Sequence, residues 1–348
     1  MPTFCRHNRF IERCPICSKT LPGNAPSGAG TPRARGAARA GAPGSSVRGR
    51  RVRGEAVRVH REGRAEDDGF RSPLVPGVRA SADAQRLAEE IAFSSGRLLG
   101  LATEPPDLYG EVRALAGSDL ERASWICFLI AYLSPLEGED PFAGIRMVLG
   151  AGTPILEGEL PDLDGVPLGP RTSHDPARGV DTLLAYRQWV ERGGRAGAAA
   201  APSNAIGVAN AGTQAAAFSG DPAWTPERRF ERLFERLALP GFGRMGRYDM
   251  LVMLGRLGLY DMRPGSLQMA GAPADDVTTL AAKRVFGIGD PILLDRRAAA
   301  LADAAATPIE TLDLALANWA SPQRATMGFP VETRDEGAHE RALDALGL

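Results

Sequence analysis

Apolar residues recur at helical spacing from residue 82 onward, and glycine or proline follows most of the apolar runs. Leu87, Ile91 and Leu98 share one face of a first predicted helix, and Ser81 is its predicted N-cap. The alternation that is typical of strands does not extend over a useful length. The predicted fold class is therefore all-α. Further helices are predicted over Asp107–Ala116, Asp119–Leu133 with Ser118 as its cap, Pro141–Leu149, Arg178–Arg192, Pro226–Leu237, Gly246–Leu257, Asp275–Phe286, Pro291–Ala305, Glu310–Trp319 and Glu336–Leu346.

Segments that are poor in large apolar residues divide the chain. Residues 150–176 and 193–216 are predicted to be loops between helices. Residues 21–81 consist mainly of Gly, Pro, Ala, Ser and Arg, and such a segment cannot bury enough apolar surface to offset its ordering entropy. The sequence thus predicts a small unit over 1–20, a disordered linker over 21–81 and a helical domain over 82–348.

The charge of the chain is unevenly distributed. The net charge is −1, but arginine recurs between Arg33 and Arg64 with few acidic residues among them. Such a basic stretch indicates a polyanionic partner, most often nucleic acid. A solvated arginine-rich linker without a partner explains the composition equally well.

Nothing in the sequence predicts a membrane association. The first residues are polar and charged, and the longest apolar run, Trp125–Leu133, is too short to cross a bilayer. We therefore expect a cytoplasmic protein without a membrane partner.

Three cysteines and one histidine lie within the first seventeen residues, with the spacing C-x-H-x6-C-x2-C. Cys5, His7, Cys14 and Cys17 are predicted to bind a structural Zn2+, because four protein ligands complete its tetrahedron. An unliganded thiol pair or a redox pair is the alternative. Cys127 is the only substitute for His7 as a ligand, but its apolar surroundings predict a buried core cysteine.

The sequence L-P-G-F-G joins two predicted amphipathic helices and predicts a helix-hairpin-helix element. Glycines permit a tight turn that exposes backbone N–H groups, and the N-terminus of the following helix favours an anion such as a DNA phosphate. The contact would read the backbone rather than the bases. A Pro-Gly helix end in an ordinary helical bundle is the alternative. The candidate phosphate-binding residues are Gly241, Gly243, Arg244, Gly246 and Arg247.

The motif L-P-G-F-G-x-x-G-R-Y within an all-helical chain resembles the helix-hairpin-helix DNA glycosylase superfamily. The resemblance implies a catalytic aspartate roughly twenty residues past the hairpin. Asp261, eighteen positions after Gly243, is the candidate, although a helix cap explains it equally well. Met245 stands where bifunctional glycosylases carry a lysine, so the resemblance does not extend to their lyase chemistry.

A narrower resemblance rests on F-C-R-H-N-R-F-x-E-R-C-P-I-C at residues 4–17, A-K-R-V-F-G-I-G-D-P at Ala282–Pro291 and L-D-L-A-L-A-N-W at Leu312–Trp319. These segments look like those of the alpha-glutamyl/putrescinyl thymine pyrophosphorylase group. The resemblance implies an enzyme that displaces pyrophosphate from an activated 5-hydroxymethyluracil in DNA and installs an amine. It also implies DNA and an amine or amino acid cosubstrate as partners.

The implied substitution requires positive charge for the leaving pyrophosphate and a base for the proton of the amine. Lys283 is the candidate for the charge, and Asp261 or Asp290 is the candidate for the base. Solvation of a helix end explains Lys283 equally, and an N-cap before Pro291 explains Asp290. A base-excision glycosylase and a non-catalytic DNA-binding protein are the alternative functions, and either enzyme requires a flipped nucleotide.

Overall fold

Helices without any strand make up the regular secondary structure of residues 65–150, 158–200 and 212–348, the part of the chain that the computed structural model describes. The side chains of residues 193–200 are outside this description. The predicted all-α class is confirmed. The helices are α1 (Ser81–Thr103), α2 (Asp107–Leu115), α3 (Leu120–Leu133), α4 (Ala143–Gly150), α5 (Gly179–Ala200), α6 (Gln214–Ser219), α7 (Pro226–Arg236), α8 (Arg244–Arg256), α9 (Val277–Phe286), α10 (Pro291–Ala304), α11 (Thr311–Ala320) and α12 (Glu336–Leu346).

Capping side chains determine several of the helix starts. The Thr225 hydroxyl accepts a hydrogen bond from the Arg228 amide, with proline at the first position of α7, as the sequence predicts. The cap of α3 is Asp119 rather than the predicted Ser118, because the Asp119 carboxylate accepts from the Arg122 amide at 2.9 Å. Helix α8 begins two residues before its predicted start at Gly246.

Helix α6 lies within a segment that the sequence predicts to be a loop. It has only six residues, and its start is held by a carboxylate from another helix. The Glu121 side chain accepts hydrogen bonds from the Gln214 and Ala215 amides at 2.9 and 2.8 Å. Such a short helix depends on tertiary contacts, which a periodicity in the sequence does not show.

Helix α3 lies in the centre of the core and packs against α2, α4, α6 and α8. Its residues from Ala123 to Leu133 are all buried. The buried thiol of Cys127 confirms the predicted core cysteine, and burial raises its pKa far above the ordinary range. Helix α1 packs against α11 and α12. Within the described residues, none of the helices has both the length and the apolar character that a bilayer crossing requires.

Residues 65–80 have no helix but pack against the helical core. Val75 and Val78 are buried in the same hydrophobic cluster as α3. The Gly77 amide donates to the Val285 carbonyl at 2.9 Å, and a Cβ at Gly77 would lie 1.8 Å from the Arg284 carbonyl oxygen. The last part of the predicted linker therefore contributes to the helical core. The remainder of that linker and residues 1–20 lie outside the described residues.

Candidate functional site

A tight turn joins α7 and α8 at the position of the predicted helix-hairpin-helix element, and this turn is called the hairpin below. The Phe242 amide donates to the Leu239 carbonyl at 3.1 Å, and Gly241 has a φ of +72°. Gly243 is the N-cap of α8 in extended geometry, and no side chain caps the helix. The first amides of α8 therefore lack a side-chain acceptor, which is the arrangement that an anion-binding helix start requires.

The hairpin is anchored to α5 and to the loop that precedes it. The Thr182 hydroxyl donates to the Pro240 carbonyl at 2.8 Å. The Phe242 side chain is buried, with its ring centroid 5.2 Å from that of Phe128. A Cβ at Gly246 would lie 2.5 Å from the Ser173 hydroxyl, so the loop approaches the first turn of α8 closely. These contacts hold the turn in one position on the core.

The two hairpin glycines have different physical roles, and we expect alanine to distinguish them. Gly241→Ala forces a side chain into the left-handed region and places its Cβ 2.3 Å from the Thr182 hydroxyl oxygen. We expect a loss of about 1–2 kcal/mol in the free energy of unfolding, and weaker DNA binding. Denaturant unfolding and fluorescence anisotropy with duplex DNA would measure these effects.

Gly243→Ala is the matched control. Gly243 has a φ of −68° and no heavy atom within 4 Å of its Cβ position, so the fold accommodates alanine. We expect a smaller loss than in Gly241→Ala, about 0.5 kcal/mol, because alanine is a poorer N-cap than glycine. Equal destabilisation by both substitutions would contradict the turn geometry.

A cleft of about 490 Å³ opens between the hairpin and the start of α9. One wall comes from the hairpin and the other from the segment before α9. Leu239, Met245 and Val277 contribute apolar surface, whereas Asp276 and Arg247 contribute charge. The cleft is large enough for a small ligand group and combines apolar walls with a few polar groups, as binding sites do.

Arg244 lies beneath this cleft and is buried, with 1% of its surface exposed. Its guanidinium donates from Nε to Asp276 at 3.0 Å, from Nη1 to the Leu267 carbonyl at 2.6 Å and from Nη2 to Asp313. This burial differs from the predicted role of Arg244 as an exposed phosphate ligand. The reason is that α8 begins at Arg244 itself, which turns the side chain toward α9 and α11.

Two aspartates, Asp275 and Asp276, line the cleft, and Asp276 is the one that contacts Arg244. It is the N-cap of α9, and its Oδ2 accepts from the Thr279 amide at 2.9 Å and from the Thr279 hydroxyl at 2.7 Å. The same oxygen accepts from Arg244. Oδ1 has no hydrogen bond from any described residue, and Asp276 is among the residues that line the cleft, with its side chain 6% exposed.

The segment that forms this site is similar to a known family. Residues 206–327 match the family model of alpha-glutamyl/putrescinyl thymine pyrophosphorylase clade 3. The match covers less than half of the chain, but it includes the hairpin, α8, α9 and α11. Comparisons with curated proteins and with solved structures returned no match.

A buried ion network lies behind the site. Asp313 on α11 accepts from Arg244 through Oδ1 and from Arg171 through Oδ2, the latter at 2.8 Å. Arg171 also makes a two-point contact with Asp249 on α8, with both N–O distances at 3.0 Å. Arg171 precedes the matched segment and lies in a segment that the sequence predicts to be a surface loop. Its side chain is 4% exposed, so this part of the predicted loop is in fact core.

The charged groups of the network shift one another's pKa values. Burial would raise the pKa of Asp313, but the guanidinium groups of Arg244 and Arg171 outweigh it and hold that pKa below the ordinary value. Burial and the neighbouring Asp313 raise the pKa of Asp249. Burial would lower the pKa of Arg244, but Asp313 and Asp276 outweigh it and raise that pKa. Asp313 is therefore the ionised centre of the network.

Arg247 and Gly246 are the other two residues of the hairpin that the sequence predicts to bind phosphate. The Arg247 guanidinium lies 4.3 Å from the Phe234 ring centroid and donates to the carbonyls of Phe234 and Gly243 at 2.9 and 3.3 Å. Burial and the nearby Arg244 lower the pKa of Arg247. Arg247 thus braces the turn at the edge of the cleft, and it is the hairpin arginine that reaches solvent. Gly246 is buried under Ser173, so its role is close packing.

Asp261 lies at the opposite end of α8 from the hairpin. Helix α8 has 13 residues, so its ends are about 20 Å apart. The Asp261 side chain is 82% exposed, and its nearest charged partner is Arg229 at 3.7 Å. The predicted catalytic role of Asp261 therefore stays a prediction, at a position apart from the cleft. The spacing of eighteen residues is accounted for by the length of α8, which carries the chain away from the turn.

Lys283 and Asp290 do not line the cleft. Lys283 is in the last turn of α9, seven positions after Asp276, which corresponds to about 10 Å along the helix. Asp290 is the N-cap of α10 and accepts from the Ile292 and Leu293 amides at 2.9 and 3.2 Å. The capping alternative for Asp290 is therefore confirmed. A further cap, Asp276, was missed, because only its contact with Arg244 distinguishes it from other aspartates before a helix.

The predicted zinc ligands lie outside the described residues. Cys5, His7, Cys14 and Cys17 precede residue 65, where the description begins. In the described part of the chain, no group of three or more His, Cys, Asp or Glu side chains is arranged to hold a metal. The structural zinc site stays a prediction from the spacing of the ligands.

Proposed function

We propose that this chain is a thymine-modifying enzyme that acts on DNA. The observation that carries the proposal is the position of the hairpin, the cleft wall and Asp276 within residues 206–327, the segment that matches a thymine pyrophosphorylase family. The match supports thymine modification as the class of reaction. The hairpin supports DNA as the substrate, because an uncapped helix start and a glycine turn favour phosphate oxygens.

The proposed reaction is a substitution at the 5-methylene carbon of a pyrophosphorylated 5-hydroxymethyluracil. The nitrogen of an amine or amino acid forms a bond to that carbon, and the bond from carbon to the pyrophosphate oxygen breaks. The electron pair leaves with pyrophosphate, and the nitrogen loses a proton. This balance requires a base near the amine and positive charge near the leaving group.

Asp276 is the proposed base and Arg247 contributes positive charge at the cleft edge. Oδ1 of Asp276 is available for the amine proton, because Oδ2 holds the three hydrogen bonds that fix the carboxylate. Leu239, Met245 and Val277 supply apolar surface against which an extruded base can lie. Lys283 and Asp290 lie along α9 and at the start of α10, so in this proposal they have no contact with the base.

Mass spectrometry of nucleosides tests the proposed function. Duplex DNA that carries 5-hydroxymethyluracil pyrophosphate is incubated with the protein and a mixture of amines and amino acids, and is then digested to nucleosides. We expect an amine-substituted thymidine and an equal amount of released pyrophosphate. Release of a free base would instead indicate a glycosylase. Binding of the duplex without any change in its nucleosides would indicate a DNA-binding protein.

A further inference from the structure

Arg244 occupies an unusual position for an arginine in a predicted DNA-binding hairpin. Its guanidinium has no exposed face: the three nitrogens donate to Asp276, to the Leu267 carbonyl and to Asp313. The side chain also lies 5.4 Å from the Tyr248 ring centroid. A fully desolvated guanidinium with a partner for each nitrogen has one orientation, because any rotation would leave a buried charge without its partner.

The direction of these contacts has a consequence for Asp276. Arg244 Nε and the two donors of Thr279 all reach Oδ2, and none of them reaches Oδ1. The Thr279 contacts are those of an ordinary N-cap. The Arg244 contact is additional, and it comes from the base of the cleft. Together they fix the carboxylate with Oδ1 left unoccupied.

Asp313 and Arg171 extend this support to other elements. Asp313 accepts from Nη2 of Arg244 through Oδ1 and from Nη2 of Arg171 through Oδ2. Arg171 is itself held by Asp249. The orientation of Arg244 therefore depends on α11 and on the loop before α5 as well as on α8. A network of buried ion pairs of this kind is rigid, because breaking any one contact would leave a buried charge without a partner.

We propose that Arg244 is a positioning residue that acts through Asp276. It holds the carboxylate in the orientation that leaves Oδ1 beside the cleft, and Asp313 fixes Arg244 for that task. The inference deepens the proposed function and rests on it in one respect, which is the role of Asp276 as the base. It assigns Arg244 an intramolecular role in place of contact with DNA phosphate.

A double-mutant cycle on the rate of amine substitution tests this role. Arg244→Lys keeps the positive charge but loses the fork that reaches both carboxylates. We expect kcat to fall about 100-fold, because a displacement near 1 Å of a reacting group has that effect, while the Kd for duplex DNA is unchanged. In a chain that already carries Asp276→Asn, the same Arg244→Lys change should alter kcat by no more than about twofold.

Arg256→Lys is the matched control. Arg256 is on the same helix and pairs with Glu310, which is 6% exposed, at the end of α8 away from the hairpin. Its effect on kcat should be small, and it should multiply with that of Asp276→Asn. If Arg244→Lys behaves in the same way, its role is structural and the inference fails. Asp313→Asn is a second variant, which leaves Arg244 in place and should reduce kcat in the same direction.

A measurement without turnover separates the inference from the proposed function. In protein labelled with 15N-threonine, the Thr279 amide resonance reports the hydrogen bond to Asp276 Oδ2. We expect this resonance to move in Arg244→Lys and in Asp313→Asn, but not in Arg256→Lys. An unchanged resonance in folded Arg244→Lys protein overturns the inference, even if no thymine substrate is turned over. Absence of turnover with a moved resonance would overturn the proposed function alone.

Discussion

Arg171→Met should reduce the free energy of unfolding by about 3–5 kcal/mol, because it leaves the buried Asp249 without its ion-pair partner and removes one of the two arginines that contact the buried Asp313. Arg171 contacts both Asp249 and Asp313, and each of these carboxylates is less than one tenth exposed. Methionine retains much of the volume of the arginine stem, so the loss would come from charge and hydrogen bonding. Denaturant unfolding at neutral pH, followed by circular dichroism, measures the effect.

Arg178→Met provides the control for this loss. Arg178 is in the same part of the chain, but its side chain is 65% exposed and its contact with Asp175 is 4.0 Å long. An exposed ion pair contributes at most about 1 kcal/mol, so the control variant should unfold nearly as the unmodified protein does. A loss of similar size in both variants would show that the buried network does not stabilise the fold.

The loss in Arg171→Met should also depend on pH. In the unmodified protein the pKa of Asp313 is held below its ordinary value, so its contribution is present at neutral pH and is lost only as pH falls through that low pKa. Without Arg171, Asp313 keeps its contact with Arg244, but Asp249 loses its paired cation, and we expect burial to raise the pKa of Asp249 further in the folded variant. The folded variant then binds protons more readily than the unfolded chain, and its stability rises as pH falls. The difference between the two proteins should therefore narrow from pH 7 toward pH 5.

The helical periodicity and the caps predicted most of the fold. Helices such as α7, with its Thr225 cap and Pro226, could be placed because their signals are local. Helix α6 and Arg171 could not be placed in this way. The first is held by Glu121 on α3 and the second by aspartates of α8 and α11. A sequence window shows neither partner, so the local composition predicts a loop for both segments.

The sequence predicts the turn of the candidate site but does not single out Asp276 as its carboxylate. The turn is local, and Gly241 has the positive φ that the sequence indicates. The carboxylate depends on how the chain returns after α8. Residues 257–276 lead back to the start of α8, where Asp276 contacts Arg244. The spacing that the family resemblance implies selects Asp261 instead, and a spacing along the chain does not show which carboxylate contacts Arg244.

Asp276→Asn should reduce the rate of amine substitution by about 100- to 10,000-fold, because an amide cannot accept the proton that a carboxylate base accepts. Asparagine is as good an N-cap as aspartate, so the hydrogen bond from the Thr279 amide and the start of α9 are retained. The Kd for duplex DNA should be unchanged, since the hairpin is intact. Single-turnover kinetics and anisotropy would measure the two quantities.

Asp261→Asn, with Asp303→Asn as a control, distinguishes Asp276 from Asp261 as the position of the catalytic carboxylate. Asp261 is the carboxylate that residue spacing selects, and Asp303 is an exposed aspartate near the end of α10 that serves as a control for handling and fold. Loss of turnover in Asp276→Asn alone supports the carboxylate at the hairpin. Loss in Asp261→Asn, with Asp276→Asn fully active, would place the chemistry at the far end of α8. The hairpin would then serve only to hold DNA, because about 20 Å of helix separates that end from the turn.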